Sequence, residues 1–195
     1  LRRRRGLAPI APDAKAGHAA DMLHMLTGEV PAPEVAAALD TYLVTVADHG
    51  LNASTFAARV VASTWSGLTS SVLAGLAALK GPLHGGAPGP IIAMLDGIGK
   101  PENAESWIED ALDRGDRLMG FGHRIYKVRD PRADALKAAV KRMSADSSAL
   151  PGRLKLAEAV ERAALKVLHQ RKPDRPLEVN VEFYTALLLE ALGFP

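Results

Sequence analysis

Apolar residues recur at three- and four-residue intervals along most of this chain, and no run alternates long enough to make a β-strand. That pattern constrains the fold strongly: the core has to be assembled from helix faces. Val35, Leu39, Tyr42, Leu43 and Val46 form one such stripe. They predict a helix from Pro33 to about Gly50, with His49 in its final turn or just past it. Residues 54–79 are rich in Ala, Ser, Thr and Gly. Gly67 and Gly75 weaken a helix there, yet small residues let helices approach closely, so the segment predicts a tightly buried helix or helix pair. A short helix follows near Ile91 to Leu95. Pro101 then opens another, with Trp107, Ile108, Ala111 and Leu112 on one face and Gly115 as its stop.

Residues 116–130 lack a period and read as a loop. Asp130-Pro131 is a cap followed by a first-turn proline, and Leu136, Val140 and Met143 carry that helix onward. Residues 144–152 read as a surface linker. Leu156, Val160, Leu165 and Leu168 mark the next helix, and residues 182–191 the last. The expected fold class is all-α and multi-helical, without an internal repeat.

The 195 residues, 48% of them hydrophobic, suffice for a sizeable core and exclude a disordered class. The chain has no cysteine, which excludes disulfides, zinc–thiolate sites and thiol nucleophiles and fits a reducing, cytoplasmic setting. No apolar run reaches the ~18 residues of a membrane span, and no signal peptide is visible, so no membrane partner is expected. The net charge of +2 selects no partner. Arg2 to Arg5 could touch a phosphate backbone, or form a solvated end. No basic helix or aromatic interleaving supports them, so no nucleic-acid partner is expected.

Three of the six histidines stand beside glycine: His49 in ADHGLNAST, His84 in GPLHGGA and His123 in GFGHRIY. Any one of them could be a structural histidine satisfied by a backbone carbonyl. Glycine, however, lets a ligand approach closely, and loops between rigid helices are where catalytic groups gather. No pair has i, i+4 spacing and no HExxH motif occurs, so no metal site is expected. His18, His24 and His169 fall on predicted helices and read as structural or surface residues.

The segments DHGLNAST, LKGPLHGGA, GFGHRIYKVRDPRA and NVEFYTALLLEALGFP resemble, in order and with plausible spacing, the signature segments of the citrate synthase family. The likeness covers essentially the whole chain. It implies condensation of acetyl-CoA, a substrate rather than a cofactor, with oxaloacetate and water to citrate and CoA, by a homodimer. It also implies that residues 1–195 are the central helical part of such an enzyme, with catalytic segments over about 81–185 and the family's N- and C-terminal parts missing. His84 then matches the histidine facing the thioester carbonyl. At a glycine-rich helix start the positive dipole end favours a neutral imidazole, which can still donate one hydrogen bond to an enolate. His123 matches the histidine that polarises the oxaloacetate ketone and protonates the alkoxide. His49 and Arg132 match oxaloacetate-binding residues, arginine being suited to gripping a carboxylate with two teeth. Leu118, Met119, Gly120, Phe121 and Gly122 match the loop whose main chain receives the adenine of CoA.

Glu182 in NVEFY matches the catalytic base, where most members carry aspartate; glutamate reaches about 1 Å further, a distance that matters in catalysis. The family's later substrate-binding arginines have no counterpart in the residues after Glu182. Two other readings use the same residues: 2-methylcitrate synthase, taking propionyl-CoA, and a non-catalytic helical dimerisation fragment. Retention of His84, His123 and Glu182 together favours an enzyme.

Overall fold

The computed structural model describes residues 1–81, 84–86, 88–122, 129–144, 150–174 and 177–194. Among them nine α-helices carry the architecture: α1 (His18–Thr27), α2 (Pro33–Val46), α3 (Ala53–Ser63), α4 (Gly67–Leu79), α5 (Pro88–Ile98), α6 (Ala104–Asp113), α7 (Pro131–Met143), α8 (Leu150–Arg171) and α9 (Val181–Ala191). Short 3₁₀ turns occupy Arg2–Arg5 and Pro101–Asn103. The described residues contain no strand, only an isolated antiparallel bridge between Phe121 and Val179. The fold is all-α, as the periodicity requires.

Helix starts follow their local chemistry. Pro33 and Pro131 take first-turn positions where no N–H is needed. The side chains of Asn52, Asp130 and Asn180 accept backbone N–H groups at the starts of α3, α7 and α9. The core condenses around α9, whose Val181, Phe183, Tyr184, Thr185, Ala186, Leu187 and Leu188 are all buried. Helices α2, α5, α7 and α8 pack around it, and α6 lies on α8 through Ala104, Ile108 and Ala111. Phe183 meets the Phe121 and Tyr184 rings with centroids 5.3 Å away in each case. That contact ties the 116–122 segment to the centre of the fold.

Three boundaries and one burial differ from the sequence reading. Helix α2 stops at Val46, so His49 lies beyond it, in a turn where Asp48 Oδ1 accepts the Gly50 N–H at 2.9 Å. Helix α5 starts at Pro88, ahead of Ile91. Helix α8 begins at Leu150, a buried residue that anchors it, so residues 150–152 are helix rather than linker.

The fourth correction concerns residues 54–79. They do form a helix pair, α3 and α4, but the pair is not buried within this chain. No α3 residue is buried and α4 buries only Ser71, while Trp65 is 95% and Leu68 81% exposed. Small residues bring the two helices together, a Cβ on Gly75 lying only 3.4 Å from Ala58 Cβ. Among the described residues, no other helix packs substantially against their outer faces. A small-residue pattern reports close packing without saying which partner provides it.

Candidate active site

His84 lies in a turn on the end of α4, where its own N–H and that of Gly85 both donate to the Gly81 carbonyl at 3.0 and 3.1 Å. Only glycine fits at 85, because a Cβ there would lie 1.9 Å from the Leu79 carbonyl oxygen. The ring turns back to the start of α3: its Nε2 is 3.2 Å from the Ser54 backbone nitrogen and 2.9 Å from Ser54 Oγ. A backbone N–H can only donate, so Nε2 accepts and carries no proton. With Nε2 accepting, the donor nitrogen of the ring is Nδ1. The sequence reading placed His84 at a helix start among the glycines; the helix start that its ring meets is that of α3.

Three other candidates converge where α2 ends and α7 and α9 begin. Arg132 Nη1 is 3.4 Å from His49 Nδ1. Glu182 stands in the first turn of α9, its backbone N–H donating to Asn180 Oδ1 at 3.0 Å. Burial raises the proton affinity of Glu182, the charges of His49 and Arg132 oppose this, and that of Asp130 adds to it; the net shift is upward. Tyr42 on α2 shares the neighbourhood, its phenol pushed up by burial and then by the charge of Glu182. A half-buried carboxylate with raised proton affinity is suited to accept a proton, and the adjacent cations are suited to hold an anionic substrate.

Arg132 is also held from behind. Its Nε and Nη2 donate to Asp130 Oδ1 and Oδ2 at 3.0 and 2.9 Å. A two-toothed grip on a substrate through that edge is thus precluded, and such a grip would have to come from the Nη1/Nη2 end. Burial pushes the Asp130 carboxyl up, but hydrogen bonds from Arg132 and Val181 outweigh it and hold it below the usual range.

Residues Leu118–Gly122 are laced to the segment before α9. The Asn180 N–H donates to Gly120 O at 3.0 Å, the Gly122 N–H to Glu178 O at 2.7 Å, and Asn180 Nδ2 to Gly122 O at 2.9 Å. Gly120 and Gly122 adopt φ of +88° and +84°, and a Cβ on Gly120 would lie 2.9 Å from Phe183. Glycine is thus required here by packing and backbone conformation. Those three main-chain groups of the loop thus have partners within the chain. His123 lies outside the described residues. Just past it, Arg129 bonds Asp134 and Glu161, and Glu161 also accepts from Lys137 and the Tyr184 hydroxyl. His18 and His169 are exposed and His24 half-buried, in keeping with structural or surface roles. Among the described residues no group of His, Asp and Glu is disposed to hold a metal ion, and no helix is long and apolar enough to cross a membrane.

Sequence reasoning missed Ser54 and the second duty of Asp130. The signal for Ser54 was Asn52-x-x-Thr55, a helix start that leaves the N–H of the intervening residue available to another acceptor. For Asp130 the signal was Asp-Pro-Arg, which puts a cap two residues before the arginine it pairs with.

Comparison with known proteins bears directly on this geometry. A family model described as "Citrate synthase, C-terminal domain" matches residues 1–195. A protein named putative citrate synthase 2 from Mycobacterium bovis is 46% identical over 165 residues, covering 85% of this chain and 43% of its own length. A 2-methylcitrate synthase from Mycobacterium tuberculosis is 48% identical over 143 residues, covering 73% of this chain and 36% of its own. A solved citrate synthase from Thermoplasma acidophilum, in a ternary complex with carboxymethyl coenzyme A and oxaloacetate, superposes with a TM-score of 0.88 at 33% identity, covering 100% of this chain and 50% of that one. The chain spans less than half the length of the curated relatives it matches.

Proposed function

Because this chain belongs to the citrate synthase family, we propose that it carries a condensing site that joins the methyl carbon of acetyl-CoA to the ketone carbon of oxaloacetate. Hydrolysis of the resulting thioester by water then gives citrate and CoA. The observation that carries the reading is the convergence of Glu182, Arg132 and His49 on one anion-binding corner.

In this mechanism Glu182 takes a proton from the acyl methyl group, and the His84 Nδ1–H donates to the oxygen of the enolate that forms. His49 and Arg132 hold the oxaloacetate carboxylates. His123 polarises the ketone and protonates the alkoxide, and the main chain of Leu118–Gly122 receives the adenine of CoA. Each positioned acid, base or enolate donor contributes about 10²–10⁴-fold, so none suffices alone. The mechanism calls on no metal or resident cofactor, since acetyl-CoA is consumed as a substrate.

The protein acts as a homodimer, and the exposed apolar faces of α3 and α4 are the surface assigned to the partner copy. The setting is the cytoplasm. Light scattering of the protein and of a Leu68→Asp variant tests the assembly; a wild type that is monomeric at micromolar concentration excludes it.

Glu182→Gln in the full-length protein tests the chemistry. It keeps the shape of the side chain and removes its basicity. Oxaloacetate binding should persist while turnover falls at least about 10²-fold. Turnover near the wild-type rate would remove Glu182 as the base. The same residues serve propionyl-CoA, and the similarity to 2-methylcitrate synthase keeps that substrate in view. One methylene in an acyl pocket is worth about 1–3 kcal/mol, so kcat/KM for the two acyl-CoA substrates, measured side by side, decides between them.

A further inference from the structure

Asp130 touches both halves of the site through one carboxylate. It is completely buried, and each of its oxygens accepts two hydrogen bonds. Oδ1 takes the Arg132 backbone N–H and Nε, both at 3.0 Å. Oδ2 takes Arg132 Nη2 at 2.9 Å and the Val181 N–H at 3.1 Å. Capping α7 requires only the first of these four bonds. A neutral side chain would serve that purpose, as Asn52 and Asn180 do for α3 and α9. A fully buried carboxylate is costly unless wholly paired, and here the pairing is spread over two functional elements. Val181 immediately precedes Glu182, so the last bond holds the backbone that carries the candidate base.

We infer that Asp130 is a positioning residue that fixes the oxaloacetate-gripping Arg132 relative to Glu182 and keeps the arginine from closing onto the base, an inference that rests on the proposed condensing activity. Asp130 engages Arg132 through Nε and Nη2, and its loss leaves the attraction between Arg132 and Glu182 unopposed by that pairing. Among the described residues, the groups facing Glu182 are Tyr42 from α2, His49 from the turn after it, and Asp130 and Arg132 from the start of α7. Charged groups of α8 meet α9 elsewhere, Glu161 at Tyr184 and Arg153 at Glu190, with Asp96 of α5 bonded to that same Arg153. Among the described residues, Asp130 is the anion that raises the proton affinity of Glu182, against His49 and Arg132.

Two variants of the full-length protein separate the duties. Asp130→Asn keeps an acceptor for the α7 cap and removes the charge. It should raise KM for oxaloacetate about tenfold to a hundredfold, with little change in KM for acetyl-CoA. It should also move the acid limb of the kcat profile to lower pH, because Glu182 loses a facing anion. Val181→Pro deletes the N–H that Asp130 holds on α9 and trims a buried side chain, at a first helical position where proline is welcome and after an extended Asn180, so its melting temperature is read beside its kinetics. It should lower kcat while leaving KM for oxaloacetate near the wild-type value. Asp130→Glu, which restores the charge, should return the acid limb towards its original position. Calorimetric titration with oxaloacetate reads the Arg132 half without turnover, and thermal melting identifies any variant that is simply unfolded. A folded Asp130→Asn protein with unchanged oxaloacetate affinity and an unmoved acid limb overturns the inference. A wild type that binds oxaloacetate but condenses nothing overturns the proposed activity instead.

Discussion

The contact between Ser54 and His84 yields a prediction that can be worked through atom by atom. Ser54 Oγ has one proton and two acceptors within reach, Asn52 Oδ1 at 2.7 Å and His84 Nε2 at 2.9 Å. Asn52 Oδ1 is the closer and already organises the start of α3 by accepting the Thr55 N–H at 3.0 Å. The hydroxyl proton thus belongs mainly to Asn52, and the tautomer of His84 is set by the Ser54 backbone N–H, which no side-chain change removes. Ser54→Ala should therefore be mild. It forfeits at most about one neutral hydrogen bond, roughly 1 kcal/mol, or about fivefold in turnover. Ser54→Asp is the opposite case. A carboxylate in the first turn of a helix is favourable for stability by about 0.3–1 kcal/mol, so the protein should melt no lower. The same carboxylate beside Nε2 would draw a proton there and make the ring an imidazolium, bringing the enolate donor into the wrong charge state. Turnover should then fall by about 10²-fold or more. Side-chain ¹⁵N shifts of His84 read the tautomer directly, alongside steady-state kinetics and melting of the full-length protein. If Ser54→Ala alone cost a hundredfold, or if Ser54→Asp left both the shifts and turnover unchanged, the assignment of the Nδ1 proton to the backbone contact would be wrong.

The raised proton affinity of Glu182 means that the folded protein holds that proton to higher pH than an ordinary glutamate, near 4.3, would. The base is generated only as pH rises through the shifted value, so the acid limb of kcat/KM should lie above 4.3; a limb at or below it would contradict the burial argument. Gly120→Ala places a Cβ at φ +88° and 2.9 Å from Phe183, and should cost about 2–3 kcal/mol in melting experiments while weakening CoA-analogue binding. Glu161, only 4% exposed, is pushed up by burial but held lower overall by Tyr184, Lys137 and Arg129. Its stabilising effect is present above about pH 4.3 and lost as pH falls through its lowered value. Glu161→Ala should cost about 1–3 kcal/mol at neutral pH, read from denaturant titration, because it leaves the buried Tyr184 hydroxyl without its acceptor, while Arg129 and Lys137 keep Asp134 and Glu158.

How much of this was legible in the sequence depended on whether the cause was local. The stripes over Val35 to Val46 and Leu136 to Met143 gave their helices, because apolar spacing is a property of neighbouring residues. The Asp130-Pro131 start was equally plain. The α3–α4 pair was legible as two close helices, whereas the exposure of its outer faces within this chain was not, since a face of Ala, Gly and Ser looks the same whether its partner lies within the chain or outside it. His84 stood out by its glycine neighbours, and Arg132 and Glu182 were reached through motif resemblance. The bond that sets the tautomer of His84 spans thirty residues, from 54 to 84, and no periodicity carries such information. The pairing of Asp130 with Val181, fifty-one residues apart, was hidden for the same reason.

The three best-defined site groups share a device. Ser54, Arg132 and Glu182 each occupy the second position of a helix, after a polar cap two residues earlier: Asn52, Asp130 and Asn180. In α7 and α9 the cap takes the N–H of that second residue, at 3.0 Å in both cases, and so fixes the backbone from which Arg132 and Glu182 project. In α3 the cap reaches one residue further, to Thr55, which leaves the Ser54 N–H for the ring of His84. A helix start suits an anion-binding arginine and a neutral imidazole, but it should weaken a base. The dipole favours an ionised carboxylate by about 0.3–1 kcal/mol, less than one pKa unit. For Glu182 the net shift is nonetheless upward, with burial as its largest cause and the charge of Asp130 behind it. Desolvation of a buried carboxylate can reach several units, so it outweighs the dipole even with Arg132 and His49 opposing it. The fold thus obtains a rigidly held base from a helix start without surrendering its basicity, provided that the corner stays dry and Asp130 stays charged.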